Sequence, residues 1–105
     1  MNTIIGGSGF VGTRLISLLK PENCVNIDKN PSSFFKQISK IADIRIIEEI
    51  ELPKNSSYVI LLAAEHKDDI SPTSLYYDVN VEGTKNVLDK MDEIGIKNLI
   101  FTSSV

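Results

Sequence analysis

The residues best placed to do chemistry in this 105-residue chain lie almost at its start. Ile4-Ile5-Gly6-Gly7-Ser8-Gly9-Phe10-Val11-Gly12 carries an apolar run into a cluster of residues with little or no side chain. Small residues at positions 6 to 9 leave no Cβ bulk between the end of a strand and an incoming diphosphate, and Gly12 lets the following helix lie close against a sheet. A helix starting near Phe10 and Val11 would turn its free N–H groups and positive dipole end toward the phosphates. The chemistry implied is the binding of a dinucleotide. The glycines alone leave two spacings open: Gly7, Gly9 and Gly12 fit G-x-G-x-x-G, and Gly6, Gly9 and Gly12 fit G-x-x-G-x-x-G. Asp28, about twenty residues on at the end of a second apolar run, is the carboxylate such a fingerprint asks for, able to accept both ribose hydroxyls of an adenosine. Its charge would repel a 2′-phosphate, so NAD is favoured over NADP, with Lys29 beside it leaving room for tolerance.

The other reactive residue types point to less. Cys24, the single cysteine, heads an apolar run and reads as a buried structural thiol. His66, the single histidine, falls in a polar loop and is expected at the surface or behind the site. Glu65, Asp68 and Asp69 flank it without the spacing of a metal centre, and no metal is expected.

The elements that must position these residues alternate between strand and helix. After the glycines, Val11, Leu15, Leu18 and Leu19 recur at helical spacing, predicting a helix from about Phe10 to Leu19 that Pro21 ends. Cys24–Asp28 reads as a second strand. Pro31-Ser32-Ser33 reads as a turn and N-cap for a short helix through Phe34, Phe35 and Ile38, and Ile41-Ala42-Asp43-Ile44 as an edge-like third strand with the loop leaving it. A brief helix over Ile46–Ile50 ends at Pro53-Lys54-Asn55-Ser56. Tyr58–Ala64 is apolar at nearly every position, the pattern of a central parallel strand covered on both faces. Ser71 and Pro72 start a long helix that extends to about Glu93, with Leu75, Val79, Gly83, Val87 and Met91 on one buried stripe. Gly83 in that stripe marks close packing on the sheet, and Gly95 caps the end. Asn98–Ser103 is the fifth strand, running out in hydroxyls at Ser103-Ser104. The economical topology is an α/β fold, a Rossmann-like doubly wound parallel sheet of order 3-2-1-4-5.

Composition bounds the partners. A net charge of −3, a pI near 5.0 and scattered lysines and arginines argue against a nucleic-acid or anionic-membrane surface. No apolar run approaches the roughly 20 residues of a membrane span and no leader pattern opens the chain, so a cytoplasmic protein is expected.

Several separate blocks, in order, resemble the extended short-chain dehydrogenase/reductases, specifically the NAD-dependent epimerase/dehydratase family that acts on nucleotide sugars. They are Gly6–Gly12, Asp28, Asp43-Ile44-Arg45, Leu62-Ala63-Ala64, Tyr77-Asp78-Val79-Asn80-Val81-Glu82-Gly83-Thr84 and Phe101-Thr102-Ser103-Ser104. The resemblance implies that Asp43 meets the adenine amino group and Ile44 its face. It implies that Leu62, Ala63 and Ala64 line the path of the cofactor ribose and phosphates, and that Asn80 lies near the nicotinamide half. Ser104 falls where the family has its catalytic Ser or Thr, whose hydroxyl would bond the substrate oxygen during hydride transfer. The family's Tyr-x-x-x-Lys couple has no match, because Tyr58, Tyr76 and Tyr77 are followed four residues later by Leu62, Asn80 and Val81.

The expectation is therefore that residues 1–105 are the NAD-binding N-terminal portion of a nucleotide-sugar epimerase or dehydratase. The sugar-binding lobe and the tyrosine would lie beyond residue 105, and the chain alone would bind without turnover. The alternative is a non-catalytic dinucleotide-sensing module of the atypical short-chain type, which keeps the fold and lacks the tyrosine. A sheet ending at the fifth strand would leave Leu99–Phe101 on an open edge, so a homodimer or self-association through that edge is expected.

Overall fold

The computed structural model describes residues 1–62 and 78–102. Five strands, β1 (Asn2–Ile5), β2 (Cys24–Asp28), β3 (Ser39–Ile41), β4 (Tyr58–Leu61) and β5 (Leu99–Phe101), form one sheet of order β3-β2-β1-β4-β5 with every pair parallel. The alternation of strand and helix in the sequence demanded this arrangement, and the expected order holds. Helix α1 (Phe10–Leu19) covers one face. A π-helical turn, Asp78–Gly83, leads into helix α2 (Thr84–Ile94) on the other. Among the described residues, three-residue 3-10 turns at Pro21–Asn23, Lys36–Ile38 and Ile47–Glu49 lie in the connections.

The sheet separates two apolar clusters. Alternate side chains along each strand point to opposite faces, so Ile4, Ile60 and Cys24 join Ile16 beneath α1. Ile5, Ile27, Val59 and Leu61 join Val87 and Met91 beneath α2, with Ala42, Ile44, Ile50 and Leu52 filling the same side. Burial pushes the Cys24 thiol up from its ordinary range, in keeping with an inert core residue.

Several boundaries and faces differ from the sequence reading. Of the expected α1 stripe, Leu15 and Leu19 are partly buried and pack on the cluster beneath the helix, whereas Val11 and Leu18 are exposed, and Gly12 and Ile16 are the residues fully turned to the sheet. The glycine decides this, because the side without a Cβ makes the closest approach and rotates its neighbours outward. The third strand is Ser39–Ile41, so the segment Ile41–Ile44, read as an edge-like strand and the loop leaving it, holds only the strand's last residue and that loop. Ser39 pairs with Asn26 in register, and Ala42 and Ile44 are buried as loop residues after the strand. β4 ends at Leu61 and β5 spans Leu99–Phe101, each shorter than the apolar run that contains it. Single backbone bonds extend both: Leu62 N–H donates to Ile5 O at 2.7 Å and Thr102 N–H to Leu61 O at 3.3 Å.

Gly95 ends α2 as expected, with φ +83° and its N–H donating to Met91 O at 2.9 Å. Ile96 N–H donates to the same carbonyl at 2.9 Å, and Ile96 folds back into the core. Of the α2 stripe, Gly83, Val87 and Met91 are buried as expected. The expected helix start at Ser71 and Leu75 lies outside the described residues. Gly83 packs closely, but on the loop after β3 and not on the sheet itself: a Cβ there would stand 2.6 Å from Ile44 Cδ1.

Candidate functional site

At the carboxyl end of β1, the chain turns through Gly6, at φ +90°, and enters α1 at Gly9. Gly6 N–H donates to Ile27 O at 2.7 Å, so the turn begins one ladder step beyond the paired strands. Each glycine has its own reason. A Cβ on Gly12 would collide with Gly7 Cα and stand 2.9 Å from Gly6 O, so helix and turn touch backbone to backbone. A Cβ on Gly7 would strike the side chain of Asn26. Gly9 differs: it has φ −79°, open to any residue, and an added Cβ would meet nothing within 4 Å. Among the described residues nothing requires glycine at position 9, and the space its missing side chain leaves opens onto the amino end of α1.

That helix end carries no side-chain cap and no acid in its first turn. The N–H groups that a Ser or Asp would ordinarily satisfy face outward with the positive end of the helix dipole. Phe10 and Val11, the first two helical residues, expose 81% and 64% of their surface, so their backbone is approachable.

Asp28 stands beside this turn at the end of β2. Its Oδ2 accepts the N–H of Ser8 at 2.9 Å and its Oδ1 the N–H of Asn30 at 3.0 Å. The carboxylate is thus oriented by two backbone donors and remains partly exposed. Below it lies a residue that the glycine pattern does not reveal. Asn26 is fully buried, two positions before Asp28 on the same face of β2. Its Oδ1 accepts Gly7 N–H at 2.8 Å, and its Nδ2 donates to Ser8 Oγ at 3.1 Å and to Ser39 Oγ at 3.0 Å. Both hydroxyls pass the bond on, Ser8 to Asn30 O at 2.7 Å and Ser39 to Phe35 O at 2.6 Å. One amide therefore fixes the glycine turn to β2, β3 and the connection between them. The only sequence signal was a polar residue inside an otherwise apolar run.

Asp43 and Ile44 follow β3. Asp43 accepts from Arg45 four times: Oδ1 from the backbone N–H at 3.0 Å, Oδ1 and Oδ2 from Nε at 3.1 Å each, and Oδ2 from Nη2 at 2.6 Å. The Arg45 guanidinium holds this carboxyl below the usual carboxylate range. Ile44 is 6% exposed and packs on Gly83, so its side chain serves the core first. The Ile44 carbonyl accepts Asn86 Nδ2 at 2.9 Å, tying this loop to α2. Leu62 is half-buried at the end of β4, packed on the α1 side. Asn80 sits in the π-helical turn. Ala63, Ala64, His66 and Ser104 lie outside the described residues.

The structure thus brings Gly6, Gly9, Phe10, Val11, Gly12 and Asp28 together at one edge of the sheet, with Asp43 on the loop leaving the neighbouring strand. The residues present fit a dinucleotide: a bare helix amino end for the diphosphate, an unfilled volume at Gly9, and an oriented carboxylate where a ribose would lie.

A parallel sheet of this order with such a turn defines a nucleotide-binding domain of the short-chain dehydrogenase/reductase type. More particularly, the chain belongs to the 3-beta hydroxysteroid dehydrogenase/isomerase family, which it matches over residues 3–105, within the extended NAD-dependent epimerase/dehydratase group. It is 53% identical over 104 residues to N-acetyl-alpha-D-glucosaminyl-diphospho-ditrans,octacis-undecaprenol 4-epimerase of Escherichia coli O157:H7, covering 97% of this chain and 31% of that protein. UDP-glucose 4-epimerase of Vibrio cholerae is 31% identical, over 97% of this chain and 34% of the relative. The structure of UDP-glucose 4-epimerase from Bifidobacterium longum in complex with NAD+ and UDP superposes with a TM-score of 0.80 at 25% identity, over 99% of this chain and 37% of that one. The chain spans about a third of the length of these relatives.

Proposed function

We propose that residues 1–105 are the NAD-binding portion of a sugar 4-epimerase whose substrate carries its sugar on a diphosphate. The observation that carries the reading is Gly9. Its bare Cα faces an uncapped helix end beside an oriented carboxylate, and packing among the described residues does not account for the missing side chain. Two of the similar proteins are named as 4-epimerases of diphosphate-linked sugars, one on a polyprenol and one on a nucleotide, which supports that substrate class.

In this reading the N–H groups of Phe10 and Val11 hold the cofactor diphosphate, and Asp28 accepts the adenosine ribose hydroxyls. Asp43, braced by Arg45, accepts from the adenine amino group. Leu62, Ala63 and Ala64 floor the cleft, and Asn80 lies toward the nicotinamide. Bound there, NAD supplies a reversible hydride acceptor. Ser104 holds the oxygen of the reacting sugar hydroxyl while a tyrosine beyond residue 105 takes its proton. Such an acceptor would let the C4 carbon pass through a ketone and be reduced again from its other face, with Ser104 and the tyrosine holding the oxygen and returning its proton. The sugar-binding lobe would likewise come from beyond residue 105, and the outer edge of β5 would pair with a further strand.

The test is to incubate the intact protein with N-acetylglucosamine linked through diphosphate to a polyprenol, and separately with the UDP-linked sugar, and to read inversion at C4 by NMR. Inversion of either supports the reading. NAD binding without turnover of either substrate would overturn the epimerase assignment and favour a dinucleotide-sensing module.

A further inference from the structure

We propose that the α1 face of this domain docks on an anionic phospholipid bilayer. The four most exposed large apolar side chains among the described residues are Phe10 at 81%, Leu18 at 76%, Phe34 at 74% and Val11 at 64%, and all four lie on this side. At 100° per residue, Phe10, Val11, Arg14 and Leu18 share the outer surface of α1, opposite Gly12 and Ile16. Phe34 faces them across an open groove of about 640 Å³, whose walls include Gly9, Arg14 and Ser17. A contiguous exposed apolar patch on a monomeric soluble protein commonly marks a site of interaction.

Charge follows the same division, and the whole-chain value of −3 conceals it. The layer made by residues 10–23 and 31–38 carries Arg14, Lys20 and Lys36 against Glu22 alone. No acid lies on α1 itself. The opposite layer, residues 46–51 and 78–94, carries eight acids and two lysines. One face is therefore apolar with a sparse cationic frame, and the other is strongly acidic. Apolar side chains entering the headgroup region, with basic residues meeting anionic lipid, describe interfacial binding. The acidic face would be repelled by the same membrane and so would set the orientation. The sequence reading weighs net charge and expects no membrane partner; that single value averages two faces of opposite character.

The groove borders the cofactor turn at Gly9 and Phe10, whose backbone the proposed function uses, so the test varies only Arg14, Leu18 and Phe34, which have no part in that reading. The test uses the intact protein in flotation assays with vesicles of phosphatidylcholine alone and of phosphatidylcholine with phosphatidylglycerol. Binding is expected only to the second. It should weaken when NaCl rises from about 0.1 M to about 0.5 M, as screening shortens the reach of the charges. Leu18→Asp with Phe34→Asp should lower the bound fraction at least about tenfold, and Arg14→Ala about fivefold, roughly what one basic residue contributes near such a surface. NAD affinity, measured in parallel, should not change, which shows that the variants fold. Should the double variant lose NAD binding, Leu18→Ser and Phe34→Ser separately replace it. Equal binding to both vesicle types, no binding to either, or binding indifferent to all these substitutions would overturn the proposal. So would a dimer in light scattering that Leu18→Asp dissolves, which would assign the face to a second copy of the chain.

Discussion

Replacing Gly9 separates what the protein needs from what its ligand needs. The backbone at Gly9 is extended and a Cβ would meet nothing within 4 Å, so Gly9→Val should leave the fold intact. Exchanging Gly at a helix N-cap for an apolar residue weakens the cap by a few tenths to about 1 kcal/mol, partly offset by the less flexible unfolded chain. The valine side chain, however, occupies the volume above the helix end. A bound diphosphate would be displaced from at least one N–H, and a hydrogen bond to a charged group is worth about 1.5–3 kcal/mol. At 1.4 kcal/mol per decade, NAD affinity should fall roughly ten- to hundredfold. Gly12→Ala is the contrast. Its Cβ would collide with Gly7, and because both partners are backbone the turn must move. That variant should lose about 1–3 kcal/mol of stability, the range for an overpacked core, along with its affinity. Titration calorimetry with NAD and thermal unfolding, run on both variants, check this. A Gly9→Val protein that folds and binds NAD as tightly as the wild type would refute the assignment of the cradle.

Asp28→Ala should weaken NAD binding while narrowing the gap to NADP, because the carboxylate that would repel a 2′-phosphate is gone; a competition titration of the two nucleotides reads it. Asn26→Leu leaves Gly7 N–H buried without its acceptor and should cost about 1–3 kcal/mol in urea unfolding, with no acid or base chemistry involved. Asp43 predicts a pH effect of definite sign. Arg45 depresses its folded pKa, so its contribution is fully present above the unfolded value of about 4 and is lost as pH falls through the folded one. Denaturation midpoints between about pH 5 and pH 2 should therefore fall less steeply in Asp43→Asn than in the wild type, and equal slopes would show that the pair adds nothing.

The sheet order, the extent of α1 and β2, and the cap at Gly95 were legible in the sequence because each depends on local signals: apolar runs, a proline, a glycine with positive φ. What escaped were matters of contact. The inward side of α1 was only half legible from its leucines: Leu15 and Leu19 pack on the core but Leu18 does not, since the deciding residue is Gly12, which contributes only by having no side chain. The third strand was misplaced because its register follows from the Asn26 amide reaching Ser39, and apolar Ala42 and Ile44 are buried after the strand ends. Asn26 was missed for the same reason. A lone polar residue in an apolar run says that something must satisfy it, not what. For the cofactor turn, the sequence reading sets Gly12 apart for close packing but treats Gly7 like Gly6 and Gly9, whereas the structure packs Gly7 on the Asn26 side chain and leaves open space at Gly9 among the described residues.

The parallel sheet also acts as a partition. With Ile4, Ile16, Cys24 and Ile60 on one side and Ile5, Val59, Leu61 and Val87 on the other, a side chain altered in one compartment has few neighbours in the second. Substitutions on opposite sides should combine additively. Such a domain can revise the surface it shows to its surroundings through α1 while the compartment under α2 keeps its own repertoire of side chains unchanged.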